Sequence, residues 1–483
     1  RDSHKDSDAD DSASLSITQI KKNGGSNSAV ASGSSYNSSG TSVTGTYGTL
    51  TIGADGSYTY AATQDAADVL DVGESATDVF TYTLSDGTAT TTANLTITIL
   101  GANDAPVANN DSGVIVEDGT LSVSNGSNAN VTGDYDATGE HSGDVLDTSA
   151  ASADTDVDVE TLTVTAIRLG SSEGSGTAGT VGQALTGTYG QLTLNSNGSY
   201  SYVANQTAAD ELDAGDEVVD YFNYTVSDGA ATDIAVISIK VIGINDTPVA
   251  QNDVGVIAED STLTVTNGAN ANESGGSYNA TGEHSGDVIN TSSGSHQDSD
   301  ADASASLTVT QIKKNGDSNS SVSSGSSYNS SGTAVTGTYG TLTIGADGSY
   351  TYAATADAAD GIASGETAND VFVYTLSDGT ETTTANITIT ILGANDSPTA
   401  QNDVGVIMEG STLTVANSAN ANVSGSYDAT GEHSGDVIEP SSSSQNDTDP
   451  DNSNTLTITH IKKAGGSKST VSSGGSYNRS GTA

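Results

Sequence analysis

Cysteine and tryptophan are absent from the 483 residues, methionine occurs once, and proline only five times. Without cysteine there is no disulfide framework and no thiol chemistry. If the chain is secreted, metal ions are the staples left to it. Basic residues are scarce as well: 12 Lys and Arg stand against 62 Asp and Glu, a formal charge of −50. Such a field repels nucleic acid and anionic membrane surfaces, so neither is expected as a partner. No apolar run is long enough to span a bilayer, and the chain begins with neither a signal peptide nor an initiator Met. Hydrophobic residues make up 33%, below the roughly 45–50% usual for globular chains. Low hydrophobicity and high charge together are the signature of disorder. The alternating strands described next argue against it.

What is present is repetition. Tyr339-Gly-Thr-Leu-Thr-Ile-Gly-Ala-Asp-Gly-Ser-Tyr-Thr-Tyr352 runs on through Asp370-Val-Phe-Val-Tyr-Thr-Leu-Ser-Asp-Gly379 to Gly393-Ala-Asn-Asp-Ser-Pro398. Earlier copies start at Tyr47 and Tyr189, so the offsets are 142 and 150 residues. The chain is a tandem array. Cutting it after each Asn-Asp pair gives a partial repeat at residues 1–104, full repeats at 105–246 and 247–396, and a partial repeat at 397–483. Both ends fall inside a unit, so either the sequence is an excerpt of a longer repetitive chain, the favoured expectation, or units are completed between chains.

Each unit is expected to open with a short strand pair, Val114–Val123 with Glu117-Asp-Gly119 as its turn, matched by Val256–Val265 and Val406–Val415. A polar loop follows, carrying Gly-Glu-His-Ser-Gly-Asp with His141, His284 and His433. An acidic run then leads into an alternating strand such as Leu307–Ile312. Next come a hairpin around Asp347-Gly348, an Ala/Asp-rich segment (356–360) suited to one helical turn, and a pair hinged at Ser377-Asp-Gly379. Thr on one face and Ile, Leu, Val, Phe or Tyr on the other is the alternation of an antiparallel β-sandwich.

The acidic runs are Asp6/Asp8/Asp10, Asp154/Asp156/Asp158, Asp298/Asp300/Asp302 and Asp447/Asp449/Asp451. Carboxylates on alternate residues of a turning loop can converge on one hard cation, and Asp outnumbers Glu about threefold, as calcium loops favour. An EF-hand does not fit, because Asp11 and Ile17 occupy the positions needing Gly and Glu. The competing reading is a solvated acidic loop that discourages edge pairing, or a halophile's surface. Glu, His and Asp in the histidine phrase suit a transition metal in type, but no second His completes a zinc set. The strand-ending Lys21-Lys22, Lys313-Lys314 and Lys462-Lys463 raise an isopeptide cross-link, which Arg168 at the same place cannot form. No nucleophile elbow appears, and no carboxylate pair is singled out as a catalytic acid. An enzyme is not expected.

These segments resemble the VCBS repeats of very large bacterial adhesins and proteins of the RTX type. The resemblance rests on Tyr-Gly-x-Leu-Thr, Gly-Ser-Tyr-x-Tyr, Asp-x-Phe-x-Tyr-Thr-x-Ser-Asp-Gly and the Gly-x-Asn-Asp-x-Pro exit. More distantly they resemble bacterial cadherin-like modules, which implies calcium between consecutive domains. On that resemblance Glu117, Glu259 and Glu409 match the strand-A glutamate. The first two Asp of each run match the Asp-x-Asp pair. Asn103-Asp104, Asn245-Asp246 and Asn395-Asp396 match the linker, whose first Asp is replaced by Gly101, Gly243 and Gly393. One or two ions per junction are then expected.

The expectation is an all-β array of Ig/cadherin-like sandwiches forming an elongated rod or fibre, stiffened by calcium. Such a chain would serve outside a bacterial cell as an adhesin stalk or biofilm-matrix fibre, self-associating or continuing into neighbouring repeats. The alternative is a module that binds carbohydrate or another surface through its polar loops.

Overall fold

The computed structural model describes residues 5–9, 14–126, 132–133, 143–146, 153–158, 160–268, 275–276, 284–289, 296–416, 436–438, 446–451 and 455–472. The chain forms two compact units, Arg1–Ile244 and Asn245–Ala483. Nearly all of its regular structure is β, with single helical turns at Asp65–Asp68 and Thr207–Asp210. The corresponding Ala/Asp segment of the third repeat, 357–361, is a hydrogen-bonded turn instead.

The third repeat shows how alternation becomes a sandwich. One sheet runs Asp253–Ala258, Thr382–Leu392, Thr367–Ser377, Thr308–Lys314 and Ser320–Ser321 in spatial order. The facing sheet runs Gly275–Gly276, Thr262–Val265, Tyr350–Ala353, Thr341–Ile344 and Thr333–Thr336. Along Thr367–Ser377 and Thr382–Leu392 every second side chain is buried, so Phe372, Tyr374, Ile387 and Ile389 enter one core with Leu263, Leu342 and Tyr352 of the other sheet. Tyr352 meets Phe372 edge to face at 6.1 Å. The second repeat has the same two sheets except that the first has four strands, an isolated Arg168–Ala178 bridge standing in for the short fifth strand; its own core lies around Leu192, Tyr202, Phe222 and Ile239.

One expectation is corrected. The opening strands are not paired with each other. Asp253–Ala258 runs parallel to Thr382–Leu392, whereas Thr262–Val265 pairs with Tyr350–Ala353 in the opposite sheet. Glu259-Asp260-Ser261 is therefore a corner between sheets. Its N–H groups are shared out accordingly: Glu259 donates to Leu392 of one sheet and Asp260 to Ala354 of the other. Asp118 and Asp260 take φ of 57° and 58° there, a left-handed conformation that Asp tolerates better than most residues. The sandwich is thus mixed, with one parallel pair per full repeat.

The Tyr-Gly pattern has a packing cause. Asp220 is buried and accepts the N–H groups of Thr188, Tyr189 and Gly190 at 2.8–3.1 Å and the Tyr202 hydroxyl at 2.7 Å. Asp78 and Asp370 repeat the arrangement with two N–H groups and the tyrosine hydroxyl each. A Cβ on Gly45, Gly187 or Gly337 would lie 1.9–2.3 Å from that carboxylate, so only glycine fits. Desolvation pushes the Asp78 carboxyl up, but the Thr46 and Tyr47 N–H groups, the Tyr60 hydroxyl and Lys22 outweigh it and hold it below the usual range. Lys22 and Lys314 donate to the hydroxyls of Thr46 and Thr338.

The first repeat is less covered. Among the described residues no strand lies beyond Thr90–Leu100 in its sheet. Tyr58 is accordingly 48% exposed, against 2% and 0% for its counterparts Tyr200 and Tyr350.

Candidate metal centres

Three of the four acidic runs are pinned to the segment just after the Asn-Asp linker. Isolated antiparallel bridges join Val107 to Thr155, Val249 to Ser299 and Thr399 to Thr448. This pairing divides the run in two. The first carboxylates point into their own repeat: Asp154, Asp298 and Asp447 accept the N–H of Asn109, Gln251 and Gln401 at 2.7 Å. Asp154 and Asp298 are each 1% exposed. The other two face the linker. Asp158 donates its N–H to Asp156 Oδ1 at 3.0 Å, and this turn swings the Asp158 carboxylate back onto the Asp104 N–H at 2.6 Å. Asp300/Asp302 with Asp246, and Asp449/Asp451 with Asp396, repeat the geometry at 3.0–3.1 Å. The three carboxylates of such a run, expected to converge on one cation, thus have partners on two sides. The local turn sends the first inward and the others to the junction.

Within Arg1–Ile244, oxygens of Asp71, Asp158 and Glu160 all lie within 4.8 Å of one another. Two ligands of one calcium ion, each 2.3–2.6 Å from it, are at most about 5 Å apart, so the cluster has the right span. Asp156 Oδ2, Asp158 Oδ1 and Glu160 Oε2 are buried without a hydrogen-bond partner. Desolvation, followed by Asp71, Asp158 and Asp156, pushes the Glu160 carboxyl up. Beside the cluster, Asn103 Nδ2 donates to Asp228 Oδ2 at 3.0 Å. The donor set is all oxygen and anionic, the preference of a hard divalent cation. Among the described residues the one ion pair is Lys240–Glu217 at 3.2 Å, and it neutralises none of these groups.

Within Asn245–Ala483, Glu259 accepts the Ala394 N–H through Oε1, while Oε2 is buried without a partner. Burial and then Asp396, Asp451 and Asp260 push its carboxyl up. Asp396 is raised in turn by desolvation, Asp451, Asp360, Asp260 and Asp449, and Asp300 by desolvation, Asp302 and Asp378. Asn245 Nδ2 donates to Asp378 Oδ2 at 3.0 Å, and Asn395 Nδ2 to the Asp396 carbonyl at 2.6 Å. Glu117 likewise accepts the Ile244 N–H.

Some sequence candidates are not gathered. Glu409 is exposed in a stretch without strand structure. Asp6 accepts the Tyr82 hydroxyl at 2.7 Å, Asp8 is exposed, and Asp10 lies outside the described residues. His284 is buried at 1% exposure, while His141 and His433 lie outside the described residues. Other residues were missed: Asp71, Glu160 and the Ser-Asp-Gly aspartates Asp228 and Asp378. Glu160 ends an acidic run and the Ser-Asp-Gly motif recurs, so both carried a signal. Asp71, in an unremarkable Val/Leu/Asp segment, did not. The linker glycine has a steric reason: a Cβ on Gly101 would meet the Asp71 carbonyl at 2.2 Å, and Gly393 the Ile362 carbonyl at 2.1 Å. The segment that forbids a linker carboxylate is the one that delivers Asp71.

Comparison with known proteins bears on the family. The chain is similar to a calcium-binding lectin, RapA2, of Rhizobium johnstonii, with 29% identity over 213 residues, 43% of this chain and 78% of that protein. Among solved structures it is similar to Drosophila N-cadherin EC1–4 at 12% identity and TM-score 0.22, covering 74% of this chain and 71% of that one. Protocadherin gamma B7 domains 1–4 give 9% identity and TM-score 0.31 over 77% and 70%. An endo-fucoidan hydrolase of glycoside hydrolase family 107 gives 16% identity and TM-score 0.18; the match covers 72% of this chain but only 37% of that enzyme. Among the described residues no helix is long and apolar enough to cross a membrane. The family model for the bacterial cadherin-like domain matches residues 2–101, 103–243 and 245–393, and with three consecutive matches over most of its length this chain belongs to the bacterial cadherin-like domain family.

Proposed function

We propose that the carboxylates at the repeat junctions hold calcium, and that the chain is an extracellular, non-catalytic adhesion protein whose tandem repeats are stiffened by those ions. The observation that carries the reading is the Asp71/Asp158/Glu160 cluster, in which Asp158 Oδ1 and Glu160 Oε2 are buried with no protein donor, as is Oδ2 of Asp156 in the same run. Buried anions without partners are costly, and a divalent ion repays that cost. Asp71 belongs to the loops of the first repeat, Asp158 and Glu160 to the opening of the second. An ion there ties one sandwich to the next. Glu259, Asp396 and Asp451 supply the same chemistry between the third and fourth repeats.

Limited proteolysis of the full chain tests this. With millimolar calcium, cleavage at the linker around residues 101–106 should be slow. With chelator it should become the first cut, by a rate factor of about 10 or more if the ion contributes 1.4 kcal/mol or more to keeping the linker closed. Equal rates in the two conditions would refute the junction reading.

A second reading is favoured by one observation, the similarity to a protein named as a calcium-binding lectin. In it, the polar loops bind carbohydrate and the sandwiches present them. Calcium-dependent retention on a glycan array separates the two readings, because a pure spacer retains nothing.

A further inference from the structure

A second group of acidic residues lies inside the repeats, away from the junctions. In the third repeat the buried Asp253 and Asp298 flank the hydroxyl of Tyr374. That hydroxyl lies 2.9 Å from the Gln251 carbonyl, 3.2 Å from the Val288 carbonyl, and 3.1 and 3.4 Å from the two oxygens of Asp298. One proton cannot serve four acceptors. The second repeat builds the same nest: Tyr224 Oη contacts Asp111 Oδ2 at 2.5 Å, the Asn109 carbonyl at 3.0 Å and the Val145 carbonyl at 3.4 Å. Asp154 Oδ2 is buried there without a partner.

An independent feature points into each nest. Tyr200 and Tyr350 are 2% and 0% exposed, and their hydroxyls have no hydrogen-bond partner. Asp111 and Asp144 act on the first, Asp253 and Asp287 on the second. Asp144 and Asp287 are already occupied, because each accepts two backbone N–H groups, from Gly126 and Leu146 and from Gly268 and Ile289. They form an outer layer. What gathers in each nest is two carboxylates, two hydroxyls and two carbonyls, with the Ser285 hydroxyl also on Asp253 in the third repeat; the Tyr200 and Tyr350 hydroxyls and Asp154 Oδ2 are left without a partner. Six to eight oxygens is the coordination shell of calcium.

We propose that each complete repeat binds a hard divalent cation in its interior, held by Asp111 and Asp154 with the Tyr200 and Tyr224 hydroxyls in the second repeat, and by Asp253 and Asp298 with Tyr350 and Tyr374 in the third. The site joins the strand that opens the repeat to its acidic run and to the Gly-Asp-Val end of the histidine loop. It therefore staples a large polar insertion to a sandwich that has no disulfide. This is separate from the junction ions: Asp111 and Asp253 contribute nothing there, and each nest lies within one repeat. Among the described residues the first repeat has no counterpart of Asp253, so two interior ions per chain are expected.

The test uses the full chain, stripped with chelator and titrated with calcium or with terbium(III) as a luminescent hard-cation probe. With no tryptophan and 19 tyrosines, terbium emission excited through the protein reports tyrosine beside the ion. The combined Asp111→Asn, Asp253→Asn chain should bind two fewer calcium ions and lose most of the sensitised emission. The junction variant Asp158→Asn, Glu160→Gln should keep that emission. If the aspartate variant does not fold, Tyr200→Phe with Tyr350→Phe preserves the ring packing and should weaken terbium binding about tenfold. Unchanged stoichiometry and emission in the aspartate variant, or unchanged affinity in the tyrosine variant, would overturn the interior site and leave the junction reading standing. Loss of ions only in the junction variant would assign all binding to the linkers.

Discussion

Asp220→Ala should be among the most damaging single changes to the second repeat. The carboxylate accepts three backbone N–H groups and a tyrosine hydroxyl in a buried corner. Removing it leaves those donors facing a cavity, at about 1–3 kcal/mol for each group that water cannot reach. A total of about 4 kcal/mol or more is expected, a large share of the 5–15 kcal/mol typical of a domain. Asp220→Asn should do less damage, since one acceptor oxygen survives while its new amide opposes an N–H. Denaturant unfolding of the full chain, followed through tyrosine fluorescence, would show the second repeat melting ahead of the third in Asp220→Ala. A loss under 1 kcal/mol would mean that the Tyr-Gly corner is held by strand pairing alone.

Withdrawal of calcium should have the second large effect. Sites in extracellular modules bind with dissociation constants of about 10⁻⁴–10⁻³ M. At free calcium on the order of 100 times that constant, each site adds about 2.7 kcal/mol to the folded state. Chelation should therefore lower the melting temperature by several degrees per occupied site, given that about 1 kcal/mol moves a domain of 100–150 residues by roughly 3–8 °C. Magnesium at the same concentration should restore little of this, because it demands octahedral geometry and dehydrates reluctantly. Sodium chloride should not restore it at all. Full restoration by salt would mean that calcium acts only by screening a surface of charge −50.

Much of this was legible in the sequence. The alternation in Asp370-Val-Phe-Val-Tyr-Thr-Leu predicts which side chains enter the core, because a strand has period 2 whatever it pairs with. The acidic run and the Asn-Asp linker were both readable as cation ligands, and the fold does place them together at Asp104–Asp158 and Asp396–Asp451. What the sequence hid was topology. Glu117-Asp-Gly119 reads as a hairpin turn, since a left-handed Asp before Gly suits a hairpin and a corner between sheets equally well. Only long-range pairing of the preceding strand decides between them. The division of each run into inward and junction carboxylates was hidden for the same reason, because it depends on a two-residue bridge such as Val107–Thr155. Asp71 reaches the cluster from a distant segment that carries no pattern of its own. Conversely, Gly101 looked like a lost ligand, and it is a glycine because a neighbouring carbonyl leaves no room for a Cβ.

The most direct measurement is a calorimetric calcium titration of the chelator-stripped chain beside its Asp158→Asn, Glu160→Gln variant. Binding at the junction predicts that the variant takes up at least one ion fewer per chain, or binds it about tenfold or more weakly, while its circular dichroism stays that of the parent. Identical isotherms for the two chains would contradict the account, and the acidic runs would then be solvated loops.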